Sequence, residues 1–152
     1  EISGITKNVI AIAAGVCDGL MLGDNAKASL ITRGLHEISR FGVKMGGKFE
    51  TFFGLSGVGD LIVTCTSKHS RNRGLGERIA KGERPEDVIN SSKMVAEGYY
   101  SAPAIKKMAE IRGIEMPIVS EVFSILYEGK NPFESFKSLM SRSLKIEFYQ
   151  DF

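Results

Sequence analysis

The sequence predicts one all-α domain, a multi-helix bundle of about seven or eight helices, and three observations lead there. Apolar residues recur at helical spacing, prolines and glycines fall where helices open and close, and no regular alternation of strand with helix appears. At 152 residues, 43% hydrophobic and 25% charged, the chain has the composition of a globular protein able to build a core without disulfide or metal. No repeat, low-complexity tract or polar linker divides residues 1–152.

The first segment, GITKNVIAIAAGVCDGLMLGD, spaces Ile5, Val9, Ile12, Val16 and Leu20 for a long buried helix. On the face led by Lys7, Ala11 and Ala14 leave room for something to lie against it. Asp24 is placed to cap the next helix, which carries Leu30, Ile31, Leu35 and Ile38 on one side and stops at Gly46 and Gly47. His36, with polar neighbours and no second histidine at ligand spacing, is expected at the surface. The stretch FETFFGLSGVGDLIVTC is apolar but broken by Gly54, Gly57 and Gly59; within it Leu61 to Val63 suits a short strand or a closely packed helix, and periodicity does not choose. A helix is expected from about Arg71. Pro85 suits the first turn of another, with Glu86 and Asp87 at its positive end; Gly113 closes the helix containing APAIKKMAEIR; Pro117 opens one that ends near Gly129. Asn131, Pro132 and Glu134 form a variant capping box for the last helix, and the tail KIEFYQDF is expected to fray.

Several function classes drop out. With 20 basic and 18 acidic residues the net charge of +2 supplies no broad field for nucleic acid, so any anion recognition is local. Cys17 and Cys65 lack Cys-x-x-Cys spacing and fit a buried, reduced pair in a cytoplasmic protein. The longest apolar run, NVIAIAAGVC, is too short for a membrane span and lacks the flanks of a signal peptide. The start at EISGIT, without methionine, suggests a piece of something longer. No metal-ligand cluster, HExxH motif or nucleophile elbow is present, and the residues from Ser92 to Val95 do not make the Ser-x-x-Lys motif of a serine hydrolase. GVGDLI is the nearest approach to a dinucleotide fingerprint and fails, with Ile62 in the place of the third glycine and no βαβ unit around it.

Two constellations remain. In CTSKHSRNRGLG, a helix beginning near Arg71 points free N–H groups at whatever precedes it, Ser70 and Asn72 add neutral hydrogen bonds, and Arg71 offers a planar cationic fork. Such a loop suits a phosphate or carboxylate; a capped helix with two solvated arginines is the plainer alternative. Asp60 is an acid at a glycine-rich turn in an otherwise apolar segment, and a pairing with Lys7 explains it. An amine held between burial and a carboxylate is tuned to give and take a proton.

Taken together, KNVIAIAAGVCDGLMLGDNAKASLITRG, GVGDLIVTCTSKHSRNR, VAEG and MPIVSEVFSILYEGKNP resemble, in one order ending near Leu144, the C-terminal helical domain of bacterial-type NAD(P)-dependent glycerol-3-phosphate dehydrogenases. The resemblance implies a fold like the C-terminal domain of 6-phosphogluconate dehydrogenase. It also implies reversible reduction of dihydroxyacetone phosphate to sn-glycerol 3-phosphate for glycerophospholipid synthesis, with NAD or NADP bound mainly by an N-terminal Rossmann domain outside this chain. It puts the catalytic lysine at Lys7, with Asn8 beside it. Substrate contacts fall on Lys7, Asn8, Asp60, Thr64, Ser70, Arg71 and Asn72, and cofactor contacts on Arg71, Val95 and Glu97. No nucleic acid, membrane span or metal is implied, the expected location is the cytoplasm, and a homodimer is a possible assembly.

Two other readings stand beside it. One is a non-catalytic helical module that binds a phosphorylated metabolite or a protein partner. The other is a two-domain dehydrogenase for a different hydroxy acid, against which SRNR and GDLIVTC argue.

Overall fold

From Val9 to Cys17 every residue is apolar or small, so a helix built from this run has no face suited to water. In the computed structural model, which describes residues 1–93 and 95–142, that helix is the axis of the molecule. α1 (Ile2–Gly19) is buried all round from Val9 to Cys17 and touches α2 (Asp24–Lys44), α4 (Asp60–Thr66), α5 (Arg71–Ala80), α7 (Glu97–Ile111) and α8 (Pro117–Tyr127). The short α3 (Phe49–Phe52) and α6 (Pro85–Ser91) and the C-terminal α9 (Pro132–Ser141) complete nine α-helices among the described residues, against the seven or eight expected, and no described residue is in a strand. The surplus comes from the glycine-broken segment, where α3, a π-helical turn (Leu55–Gly59) and α4 follow one another. Leu61 to Val63 are therefore helical.

α1 is the long buried helix expected, but two details differ. Ile5 lies 45% exposed, because the helix is central only from its second turn on. Ala11 and Ala14 have no exposure at all; their small side chains admit the chain's own helices, not an outside ligand. The closest of these approaches is α5. A Cβ built on Gly15 would lie 1.9 Å from the carbonyl oxygen of Arg73, and one on Gly76 would lie 1.9 Å from that of Ile12. The two helices thus cross backbone to backbone, which only glycine allows at both positions.

Local punctuation acts largely as expected. Gly46, Gly113 and Gly129 have φ of 94°, 64° and 68°, the left-handed turns that end α2, α7 and α8. Pro85, Pro117 and Pro132 each open a helix, and the side chain of Asn131 accepts the N–H groups of Phe133 and Glu134, its half of the capping box. Asp24 is the first residue of α2, not its cap; Gly23 holds that place with φ 90°, a conformation costly for aspartate. His36 is half-buried on α2. α7 begins at Glu97, so Pro103 stands inside it and leaves the Tyr99 carbonyl without its helical donor; the Tyr127 hydroxyl donates to that oxygen instead. The tail KIEFYQDF lies outside the described residues.

One buried acid ties two helices. Glu37, 3% exposed on α2, accepts the N–H of Ile118 at 2.7 Å and of Val119 at 3.3 Å, so it serves the open start of α8 from another helix. Burial pushes its carboxyl up to about 7, against the pull of those two N–H groups and of Arg40 and Arg142. No helix among the described residues is long and apolar enough to cross a membrane.

Candidate active site

Lys7 sits on α1 two residues before the sealed run, close enough to the helix start for its side chain to leave the core. Its Nζ donates to Oδ2 of Asp60, the residue that opens α4 directly after the π-helical turn. The lysine side chain is 22% exposed and the aspartate 43%, so the pair stands at the mouth of the packed interior. An amine on one helix and a carboxylate on another, 53 residues apart, are thus joined as the out-of-place acid suggested.

Around this pair the starts of three helices converge. Asn8 donates from Nδ2 to Oε2 of Glu97 at 3.2 Å, bringing α7 to the residue next to Lys7. Asn72, only 8% exposed on α5, accepts the N–H of Gly98 through Oδ1 at 2.8 Å. Gly98 in turn is packed so tightly that a Cβ there would lie 2.7 Å from the Asn8 carbonyl oxygen. Arg71 is therefore one residue from a contact that includes the neighbour of Lys7. Its guanidinium is exposed and makes no hydrogen bond or ion pair with a described residue.

Ser70 is the N-cap of α5, and its Oγ accepts the N–H of Arg73 at 3.3 Å. The N–H groups of Arg71 and Asn72 remain as helix-start donors beside that guanidinium, an arrangement of donors suited to an anion. Thr64, half-buried one turn after Asp60, donates its hydroxyl to the Asp60 carbonyl at 2.7 Å and keeps its oxygen as an acceptor. Val95, 56% exposed, and Glu97, also exposed, line the approach to α7.

The second arginine of the loop has another task. Arg73 donates from Nε to Asp18 at 2.6 Å and pairs with Glu77 at 3.0 Å, and Lys27 shares Asp18 at 2.8 Å. The network locks α5 to α1 beside the Gly15 and Gly76 crossing. Sequence reasoning missed it: the Arg73–Glu77 spacing is a legible helical pair, but nothing local marks Asp18 as the partner. Gly98 was missed also, although a glycine at a helix start offers the signal. Cys17 and Cys65 are free and buried, with burial pushing their thiols up to about 11 and about 12, so neither is a ready nucleophile. Among the described residues no cluster of histidine, cysteine or acid is arranged to hold a metal.

The chain has the fold of a dehydrogenase's helical domain. Its fold superposes with a TM-score of 0.91 on a glycerol-3-phosphate dehydrogenase from Coxiella burnetii, at 42% identity, covering 93% of this chain and 44% of that one. It also superposes on the glycerol-3-phosphate dehydrogenase of Saccharomyces cerevisiae with a TM-score of 0.82 at 28% identity, covering 92% of this chain and 41% of that one. A glycerol-3-phosphate dehydrogenase [NAD(P)+] of a Thermotoga species is 53% identical over 149 residues, 98% of this chain and 46% of the relative. Residues 1–137 match the family described as NAD-dependent glycerol-3-phosphate dehydrogenase C-terminus, and the chain belongs to that family. It spans less than half the length of these curated relatives.

Proposed function

We propose that this chain is the substrate-side half of an NAD(P)-dependent glycerol-3-phosphate dehydrogenase, which interconverts dihydroxyacetone phosphate and sn-glycerol 3-phosphate. The Lys7–Asp60 pair carries the reading, because it places a proton donor held by a carboxylate near an anion-receiving helix start. The nucleotide-binding domain belongs to the part of the relatives' length that this chain does not span. Residues here fit a dinucleotide only as an edge: the guanidinium of Arg71, without a partner among the described residues, suits a phosphate and the exposed Val95 an apolar ring, with Glu97 two residues on, while no described strand offers a cradle. When bound, the reduced nicotinamide supplies the hydride.

The chain's own residues do the rest. Lys7 holds a proton on Nζ and passes it to the substrate's carbonyl oxygen as that carbon becomes an alcohol carbon; in reverse the neutral amine takes the hydroxyl proton. Asp60 orients the amine. Arg71, Asn72, Ser70 and the first N–H groups of α5 hold the phosphate, and Asn8 and Thr64 face the substrate's oxygens. Holding an anion remote from the reacting carbon contributes to turnover as well as to affinity, since it converts binding into orientation. We assign the reaction to the cytoplasm and its product to glycerophospholipid synthesis on the likeness to the family. In the full-length protein, Lys7→Ala is expected to lower kcat by roughly 10²- to 10⁴-fold with the helical circular dichroism unchanged. Near-normal turnover by that variant defeats the role given to Lys7.

A further inference from the structure

Asn72 meets α7 through a bond that settles which way its amide faces. A backbone N–H only donates, so the atom that meets Gly98 is Oδ1, and the NH2 group turns the other way. Nδ2 makes no hydrogen bond to a described residue. Beyond the bond, Gly98 matters by what it lacks: an added Cβ would lie 2.7 Å from the backbone oxygen of Asn8 and 2.9 Å from Oδ1 of Asn72. The first neighbours Lys7 and the second follows Arg71, so one missing methyl lets both walls of the site close on the same point.

We propose that Gly98 is a positioning residue: its N–H and its bare Cα hold Asn72 so that only the donor end of the amide is presented to the substrate's phosphate. The inference rests on the reading above that Asn72 faces that phosphate. An amide held this way serves acceptors alone, which suits phosphate oxygens and disfavours a neutral hydroxyl donor in their place. It also makes the segment that carries Val95 and Glu97 answer to occupancy of the phosphate site, because Gly98 is the second residue of the same helix.

The test uses the full-length protein with dihydroxyacetone phosphate as substrate. Gly98→Ala is expected to raise KM for that substrate by about tenfold, the size of a misdirected hydrogen bond to a charged group, while kcat falls far less. A merely structural role lowers the active fraction, and so kcat, and leaves KM alone. A folded Gly98→Ala protein with unchanged KM overturns the proposal. If that variant does not fold, amide exchange in the wild-type protein decides: saturation with glycerol 3-phosphate slows exchange of the Gly98 N–H by about fivefold, and an unchanged rate overturns the proposal. A wild-type protein without turnover defeats the assigned reaction and this inference with it, whereas an active wild type indifferent to Gly98 defeats this inference alone.

Discussion

Gly76→Ala probes the joint on which the site's geometry hangs. The new Cβ would lie 1.9 Å from the Ile12 carbonyl oxygen and 2.9 Å from both the Ile12 carbonyl carbon and the Val16 nitrogen. All three are backbone atoms of α1 and have no rotamer in which to retreat. Restoring an ordinary contact of 3.4 Å parts the helices by roughly 1.5 Å, against a well-packed partner held by Arg73 and Asp18. Overpacking of this kind costs about 1–3 kcal/mol, and alanine's better helix propensity offsets up to about 1 kcal/mol of it. With backbone on both sides the upper part of the range applies, for a net loss of about 2 kcal/mol, or roughly 4–8 °C in Tm for a domain of this size. The control is Gly74→Ala on the same helix, where nothing lies within 4 Å of the added carbon and propensity alone predicts a gain of up to about 1 kcal/mol. Thermal unfolding followed by helical circular dichroism separates the two. Steady-state kinetics adds a second reading, since displacement of the start of α5 from Lys7 by about 1 Å lowers kcat/KM by roughly 10²-fold. A Gly76→Ala protein as stable and as active as Gly74→Ala refutes the argument that the crossing is backbone to backbone.

The other predictions concern stability. Glu37 titrates at about 7 in the folded chain against 4.5 as its ordinary value, so between those pH values the folded state holds a proton that the unfolded state has lost. Its contribution is complete below about pH 4.5 and fades as pH rises toward 7, by roughly 3 kcal/mol in all. Urea unfolding at a series of pH values should show the stability of wild type relative to Glu37→Gln falling across that window; a flat difference contradicts the burial argument. Asn131→Ala removes the acceptor of two N–H groups at the start of α9 and should cost about 1 kcal/mol with kinetics unaltered, while Asn131→Asp, which keeps the acceptor, should retain most of the stability.

Where one or two neighbouring residues settle a conformation, the amino-acid order was enough. Proline opens α6, α8 and α9 because its dihedral and missing donor act within a single turn, and Gly46, Gly113 and Gly129 end helices because they alone adopt positive φ without strain. At α7 the same local logic named only the closing Gly113 and left the start open; that start is Glu97, with Pro103 inside the helix. Nothing near Pro103 in sequence shows that Tyr127 will satisfy the carbonyl left open at Tyr99. In the site, Asp60 was legible because an acid in an apolar, glycine-rich stretch needs a reason, and Lys7 supplied it. Arg71 and Arg73 look alike in the sequence, yet the first has no partner among the described residues and the second is bound to Asp18 and Glu77.

The order of amino acids by itself determined an all-helical fold among the described residues, most of its helix ends, and the residue types at the proposed proton donor and anion site. These follow from periodicity, from φ restrictions and from charge, all of which act over a few residues. Only the tertiary structure decided that α1 would be enclosed on every side, that Gly15 and Gly76 would meet at backbone distance, and that Asn8, Asn72 and Gly98 would share one point beside Lys7. Those outcomes depend on close packing between helices distant in the chain, where a single methyl group is enough to change the fit.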